Sequence, residues 1–358
     1  MRYINAIFTA LLGETWDNRR LLAQYEPLID RLPADARVRV REFVRLQLVG
    51  QRARRIIPDD FIELRGFARR AAAFEASADR ALDALVAQIT PAAEAASITF
   101  DAVLSTTATG NLMPGLSYRL ACRIPGLVRS DSLMLDLSNV GCTGGLKALN
   151  LARTLDPAIR NVLVVAVEVP TTLVDTTSDR LDTWQGNCTF GDGSAAVWVS
   201  TDAGQRECPL QLEAINFRQS AETGLDLIRW AYGDYYSFAV RDARTFDADV
   251  RGLVLAALAE SDQAAWEHEP RWAIHPAGLS LLVRLRRHLG IPEAAIRPSV
   301  EHFRTHSNMS SVSLLDLLRE LAIEAPPGSA INLLTMGAGF NVIHGRVRRL
   351  PAGGGDGT

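Results

Sequence analysis

An α/β fold built on a mixed sheet is what this sequence predicts, and three observations carry the prediction. Short apolar runs alternate with segments whose apolar residues recur every three or four positions. Several of the runs, such as "NVLVVAVEV" and "SAINLLTM", are almost continuously apolar, as strands buried on both faces are. The alternation then starts afresh near residue 206. That predicts two halves of similar rhythm, 1–205 and 206–350, followed by a flexible glycine-rich tail at 351–358.

The elements follow in order. "RYINAIFTA" reads as a first buried strand, and residues 16–88 are mostly helical in pattern. There "LLAQYEPLIDRL", "VREFVRLQLV" and "FEASADRALDALVAQI" each carry a helical apolar period. "ITFDAVLSTT" is a strand, "PGLSYRLACRI" a helix with proline at its first turn, and "SLMLDLS" a strand. The turn "NVGCTGG" leads into the helix "GLKALNLARTL", and the strands "NVLVVAVEV" and "SAAVWVS" end the first half. The second half runs as strand "LQLEAINF", helix "DADVRGLVLAALAE", strand "RWAIHP" and helix "GLSLLVRLRRHLG". A further helix opens at "NMSSVSLLDLLREL", and the strands "SAINLLTM" and "FNVIHGRV" follow.

Composition narrows the function. The chain has 358 residues, 47% of them hydrophobic, and a formal net charge of −3. Bulk electrostatics therefore does not favour a nucleic-acid partner. Cys122, Cys142, Cys188 and Cys208 form no C-x-x-C pair, which supports neither a metal cluster nor a disulfide framework and fits a reducing cytoplasm. The first apolar run is too short to span a membrane and no small-x-small cleavage site follows it.

Chemistry concentrates in four short stretches. In "LSNVGCTGGLKALNL" a single cysteine, Cys142, sits between a strand and a helix. Free N–H groups and partial positive charge at a helix start stabilise a thiolate or an oxyanion. Gly141, Gly144 and Gly145 allow tight backbone geometry and room for a substrate. A small buried structural cysteine fits the same stretch. His275 ends the strand "RWAIHP", where a structural histidine is the commoner occupant. Asn308 in "THSNMSS" stands where an asparagine usually caps a helix. "TFGDGSAAVWV" is a glycine-rich turn without the lysine of a phosphate-binding loop.

Together, "GCTGG", "FGDGSAAV", "HPAG" and "SNMSS" resemble, in their order and spacing, the thiolase-fold condensing enzymes. The nearest likeness is to type III polyketide synthases, the chalcone synthase family, with β-ketoacyl-ACP synthase III as a relative. The resemblance extends from the first strand to "GAGF" and includes the 33-residue interval from His275 to Asn308. It implies a layered αβαβα arrangement of two mixed-sheet halves. It implies that Cys142 carries an acyl chain as a thioester and that His275 keeps the thiolate available by ion pairing. His275 and Asn308 would donate hydrogen bonds to the extender's carbonyl, so that decarboxylation gives an enolate that attacks the acyl-cysteine. Phe190 and Phe238 match gatekeeping aromatics, Glu168 a glutamate near the cavity, and Met113 a methionine that reaches a neighbouring subunit, so a homodimer is expected. Acyl-CoA or acyl-carrier-protein thioesters are the implied substrates, with no metal or redox cofactor.

The chain also departs from that family. Pro170 and Leu173 stand where many plant members have cavity threonines, which implies a reshaped pocket. "TMGAGFN" replaces the family's G-F-G-P-G. The basic residues that grip CoA are only partly matched. Arg45 is the plausible equivalent, with Arg52, Arg54 and Arg55 as further charge at the mouth, and a solvated basic helix end is the plain alternative. Two other activities stay open: a stand-alone ketosynthase joining two carrier-protein-bound β-ketoacyl chains into an α-pyrone, and an acyltransferase to an alcohol or amine.

Overall fold

A nine-stranded mixed sheet runs through the computed structural model, which describes residues 1–49, 53–204, 209–219, 228–233, 235–240, 243–259 and 269–351. The tail expected to be flexible lies outside the described residues, apart from Pro351. The first half contributes β1 (Arg2–Ala10), β4 (Phe100–Thr107), β5 (Val128–Ser138), β6 (Asn161–Glu168) and β7 (Gly193–Ser200). The second contributes β8 (Leu210–Gln219), β11 (Trp272–Ile274), β12 (Ala330–Gly337) and β13 (Asn341–Arg349). Their order is β11-β12-β13-β8-β1-β7-β6-β4-β5, so the two halves join where β1 pairs antiparallel with β8. Parallel pairs lie toward each end of the sheet, β4 with both β5 and β6, and β11 with β12.

Side-chain alternation explains the layering. Along β6, Val162, Val164 and Ala166 enter one core while Leu163, Val165 and Val167 enter another. The first core also receives Leu146 and Leu149 of α5 (Gly144–Thr154) and Leu314, Leu315, Leu317 and Leu318 of a later helix, α10 (Ser311–Glu324). Ile331 and Leu333 of β12 join it from the second half, so these two helices lie between the two halves of the sheet. On the far side of the first half lies α3 (Phe67–Ala95), with Phe74, Leu82 and Leu85 buried. On the far side of the second, Leu334 and Met336 meet α7 (Ala243–Ala259) and α8 (Leu279–Leu289). The outcome is helix, sheet, helices, sheet, helices.

A smaller cluster caps one end. There α1 (Asn18–Ile29) and α2 (Ala34–Leu48) pack against α6 (Leu181–Thr189), with Tyr25 edge-on to Trp184, the ring centroids being 5.4 Å apart. Helix α2 buries Ala36, Val40, Val44 and Leu48, a strict four-residue step that turns one face inward.

Besides α6, three features escaped the sequence pattern. β2 (Glu14–Asp17) pairs with β3 (Ala53–Ile56) across the two intervening helices. β9 (Ile228–Tyr232) and β10 (Tyr236–Val240) form a separate hairpin. Helix α9 (Glu293–His306) was hidden because its inward face includes Ser299 and His302 beside Ile296 and Phe303, which breaks the apolar period. Among the described residues no helix is long and apolar enough to cross a membrane.

The central helices touch through glycine. A Cβ at Gly145 would sit 2.6 Å from the Ser311 carbonyl oxygen, and one at Gly144 would sit 2.2 Å from Thr106 Oγ1. These two glycines therefore serve packing within the core; the substrate space expected of them is not where they point. Gly145→Ala should lower unfolding free energy by about 1–3 kcal/mol, because a backbone atom cannot rotate away. Urea denaturation checks it, and an unchanged midpoint would show that the helices separate freely.

Candidate active site

Cys142 lies in a single tight turn, Gly141–Thr143, between β5 and α5. Asn139 and Gly141 both take left-handed backbone angles, φ 60° and 61°, which fold the chain sharply enough to aim the cysteine outward from the helix start. A Cβ on Gly141 would meet the Ala338 nitrogen at 3.0 Å, and Thr335 Oγ1 donates to the Cys142 carbonyl at 3.2 Å. The "TMGAGF" segment thus lies directly over the cysteine turn. Its departure from the family pattern keeps two glycines, and one of them, Gly337, lies against Cys142.

Asn308 arrives from the second half on an unusual loop. Ser307 and Ser310 hold φ of 62° and 50°, strained values for serine, on either side of it. The loop is threaded against the glycine-rich turn: Asn308 N–H donates to the Thr189 carbonyl at 3.0 Å, and Gly191 N–H donates to the Asn308 carbonyl at 3.1 Å. Asn308 Oδ1 accepts from the Ser310 N–H at 2.8 Å. The asparagine forms a local turn ahead of α10, whose N-cap is Ser310, so the capping alternative does not describe it. That bond also fixes its amide, leaving the NH2 end to reach the Cys142 sulfur, which Ser310 contacts as well.

His275 ends β11, its N–H donating to the Leu334 carbonyl at 2.7 Å. It is fully buried, and neither ring nitrogen has a protein hydrogen-bond partner. The residues that follow, Ala277 and Gly278, line the same cavity as Cys142 and Asn308. Burial pushes the Cys142 thiol up to about 12, against the opposing hydrogen bonds from Ser310 and Asn308. Burial, with the nearby His302, pushes His275 down to about 3. These directions favour the neutral form of each group, whereas the resemblance implied an ion pair.

The cavity measures about 910 Å³ and is walled largely by apolar side chains. Phe190 and Phe238 stand in it edge to face, ring centroids 5.3 Å apart. Pro170 and Leu173 line it too, so the positions at which the chain departs from plant members do face the pocket. Glu168 lies behind the wall. It is fully buried, and its carboxylate accepts from Ala108 N–H (3.0 Å), Thr109 Oγ1 (2.9 Å) and Ser311 Oγ (2.5 Å). It ties the end of β4 to the start of α10 and stands close enough to Cys142 to act on its thiol. Met113 is 97% exposed, just before α4 (Leu116–Ala121), and does not enter the cavity of its own chain.

The basic residues expected at the mouth are redistributed. Arg54 is 1% exposed, and its guanidinium donates to the carbonyls of Asn187, Cys188 and Phe190 at the end of α6. A cation there satisfies the last carbonyls of the helix and opposes its dipole, which makes Arg54 a brace for the Phe190 turn and corrects its placement at the mouth. Arg55 is half-buried, reaches toward the Gly13 carbonyl at 3.4 Å and is not part of the cavity wall. Arg45 is ion-paired with Glu26 at 2.7 Å, and Arg52 lies outside the described residues. Instead Arg229 and Arg284 line the cavity, with Phe43 and Leu46 of α2 and Trp230 of β9. Nothing local in the sequence marked these five, because a hairpin and two distant helices bring them together.

Comparison with known proteins agrees with this geometry. Residues 66–203 match the family described as chalcone and stilbene synthases, N-terminal domain. The acylalkylpyrone synthase csyB of Aspergillus oryzae is 26% identical over 251 residues, 63% of this chain and 62% of that protein. The 1,3,6,8-tetrahydroxynaphthalene synthase of Streptomyces peucetius subsp. caesius is 29% identical over 254 residues, 67% of this chain and 65% of that one. The chain thus aligns with just under two thirds of either relative's length. Among solved structures, the tetrahydroxynaphthalene synthase of Streptomyces coelicolor A3(2) superposes with a TM-score of 0.84 at 22% identity, covering 98% of this chain and 100% of that one. The C-terminal type III polyketide synthase domain of Steely1 from Dictyostelium gives 0.81 at 19% identity, covering 98% and 99%. The likeness to type III polyketide synthases read from the motifs is borne out, and the fold is theirs.

Desolvation sets the pH dependence of Cys142. With the folded thiol near 12, the reactive thiolate is a small fraction at neutral pH and grows roughly tenfold per pH unit. Alkylation by iodoacetamide, read at the Cys142 peptide by mass spectrometry, should rise steadily from pH 6 to 10. A plateau beginning below pH 7 would show a preformed thiolate–imidazolium pair.

Proposed function

From a chain with the fold of type III polyketide synthases, we propose a ketosynthase that forms carbon–carbon bonds between acyl thioesters on Cys142, in polyketide biosynthesis. The observation that carries this reading is the Cys142 thiol in contact with Asn308 and Ser310 on a largely apolar 910 Å³ cavity, with Phe190 and Phe238 in its wall. In the loading step the Cys142 sulfur attacks the thioester carbonyl, His275 accepts the thiol proton, and the departing thiol carries that proton away. Free N–H groups where the cysteine turn enters α5 suit the tetrahedral oxyanion.

In the condensing step the amide of Asn308 and the imidazole of His275 donate to the thioester carbonyl of a malonyl-type extender. Carbon dioxide leaves, the electron pair of the broken C–C bond becomes an enolate, and its carbon attacks the acyl-cysteine carbonyl. A new C–C bond forms and the Cys142 thiolate is expelled. Asn308 suits the donor role because its oxygen is already held by Ser310 N–H. Arg229 and Arg284 give the cavity positive charge suited to a phosphopantetheine phosphate, whether on CoA or on a carrier protein. The exposed Met113 is the residue through which a second copy would complete the site in a homodimer.

Intact-protein mass spectrometry after mixing with matched acyl-CoA and acyl-carrier-protein donors tests the loading step. Cys142→Ala should remove the acyl adduct entirely, and an adduct that persists would place the nucleophile elsewhere. Asn308→Ala should still load but lose malonyl-dependent carbon dioxide release by about 10²-fold or more, the scale of a lost oxyanion donor. Undiminished release would reduce Asn308 to a turn residue. Loading from the carrier protein alone, with a pyrone product and no carbon dioxide, would favour joining of two β-ketoacyl chains.

A further inference from the structure

Two helices behind the cavity floor each present a pair of metal-ligating side chains at a four-residue interval. On α9 they are His302 and His306, and on α10 they are Asp316 and Glu320. Residues four apart lie on one face of a helix, and histidines at that spacing chelate a divalent ion. The two faces meet: ligand atoms of His306, Asp316 and Glu320 all lie within 4.8 Å of one another. The fourth member supplies the independent sign of a ligand. His302 is 3% exposed, neither of its ring nitrogens has a hydrogen-bond partner, and its Nε2 stands 3.4 Å from Asp316 Oδ2, an oxygen that also lacks one. That separation is long for a hydrogen bond, yet it matches the edge of about 3.3–3.4 Å between ligands in a tetrahedron with metal–ligand distances near 2.0–2.1 Å.

We propose that His302, His306, Asp316 and Glu320 form a site for a divalent transition-metal ion of the zinc type. Two neutral imidazoles and two carboxylates balance the charge of such an ion and suit its preference for nitrogen and oxygen. Two cations face the site. Arg319 is bound to Asp316 Oδ1 at 3.1 Å, which orients the carboxylate and leaves Oδ2 for the metal. Arg55, on β3, lies near enough to His306 to act on its charge. Three or four protein ligands on two helices describe a structural site. It would clamp the end of α9 to α10 on both sides of the Ser307–Ser310 loop that carries Asn308.

The experiment uses the full chain with any affinity tag removed and with Cys142→Ala, so that this thiol contributes no ligand. Titration with Co(II), followed by its visible d–d bands, should give about one equivalent of four-coordinate ion that Zn(II) displaces. His306→Ala and Glu320→Gln should each weaken binding tenfold or more. Glu320 is exposed, so its variant tests the site without disturbing the core. Absence of the bands, or binding that both variants leave unchanged, would overturn the proposal and leave a buried histidine–aspartate contact in its place.

Discussion

The candidate site depends on one close contact, that of two helix beginnings, α5 and α10, across Gly145 and the Ser311 carbonyl. With 2.6 Å available to a Cβ at Gly145, no other residue fits there without moving backbone. That approach brings Cys142, one turn ahead of α5, to Ser310 and Asn308, one turn ahead of α10. Cys142 belongs to the first half of the chain and Asn308 to the second. The site therefore exists only when the two halves of the sheet have closed on the helices between them.

Around this contact, buried polar groups hold loop ends that apolar packing could not position. Glu168 joins Ala108 and Thr109 to Ser311, while Asp192 accepts from Ile57 N–H, Thr171 N–H and the Thr171 hydroxyl. Arg54 secures the end of α6, from which Phe190 projects. The strained serines on either side of Asn308, each costing on the order of 1–3 kcal/mol, are tolerated because backbone bonds to Thr189 and Gly191 leave that loop no alternative path. Such conformations are typical of sites where orientation matters more than stability.

Much of the fold was legible because strands buried on both faces advertise themselves as apolar runs. "NVLVVAVEV" and "SAINLLTM" became the strands β6 and β12 that the pattern required. α9 was not legible, since Ser299 and His302 occupy its inward face and Pro298 interrupts it. Among site residues, Cys142, His275 and Asn308 stood out by motif, and Phe190 and Phe238 meet in space as well. Arg54 misled because a basic residue in a basic run reads as solvated, while the burial of a guanidinium against helix-end carbonyls leaves no local trace. Glu168, which the resemblance set near the cavity, does stand close to Cys142, with its oxygens bound to Ala108, Thr109 and Ser311.

The sequence by itself determined the strand, turn and helix around Cys142, the strand that ends at His275 and the interval from His275 to Asn308, because these follow from local periodicity and short motifs. Tertiary structure alone decided the rest. It desolvated the half-buried Cys142 and the fully buried His275, which favours their neutral forms, moved the positive charge of the cavity to Arg229 and Arg284, and set a histidine pair against a carboxylate pair across two helices. Each of these depends on desolvation or on contacts between residues far apart in the chain, and neither quantity is written in any local stretch of amino acids.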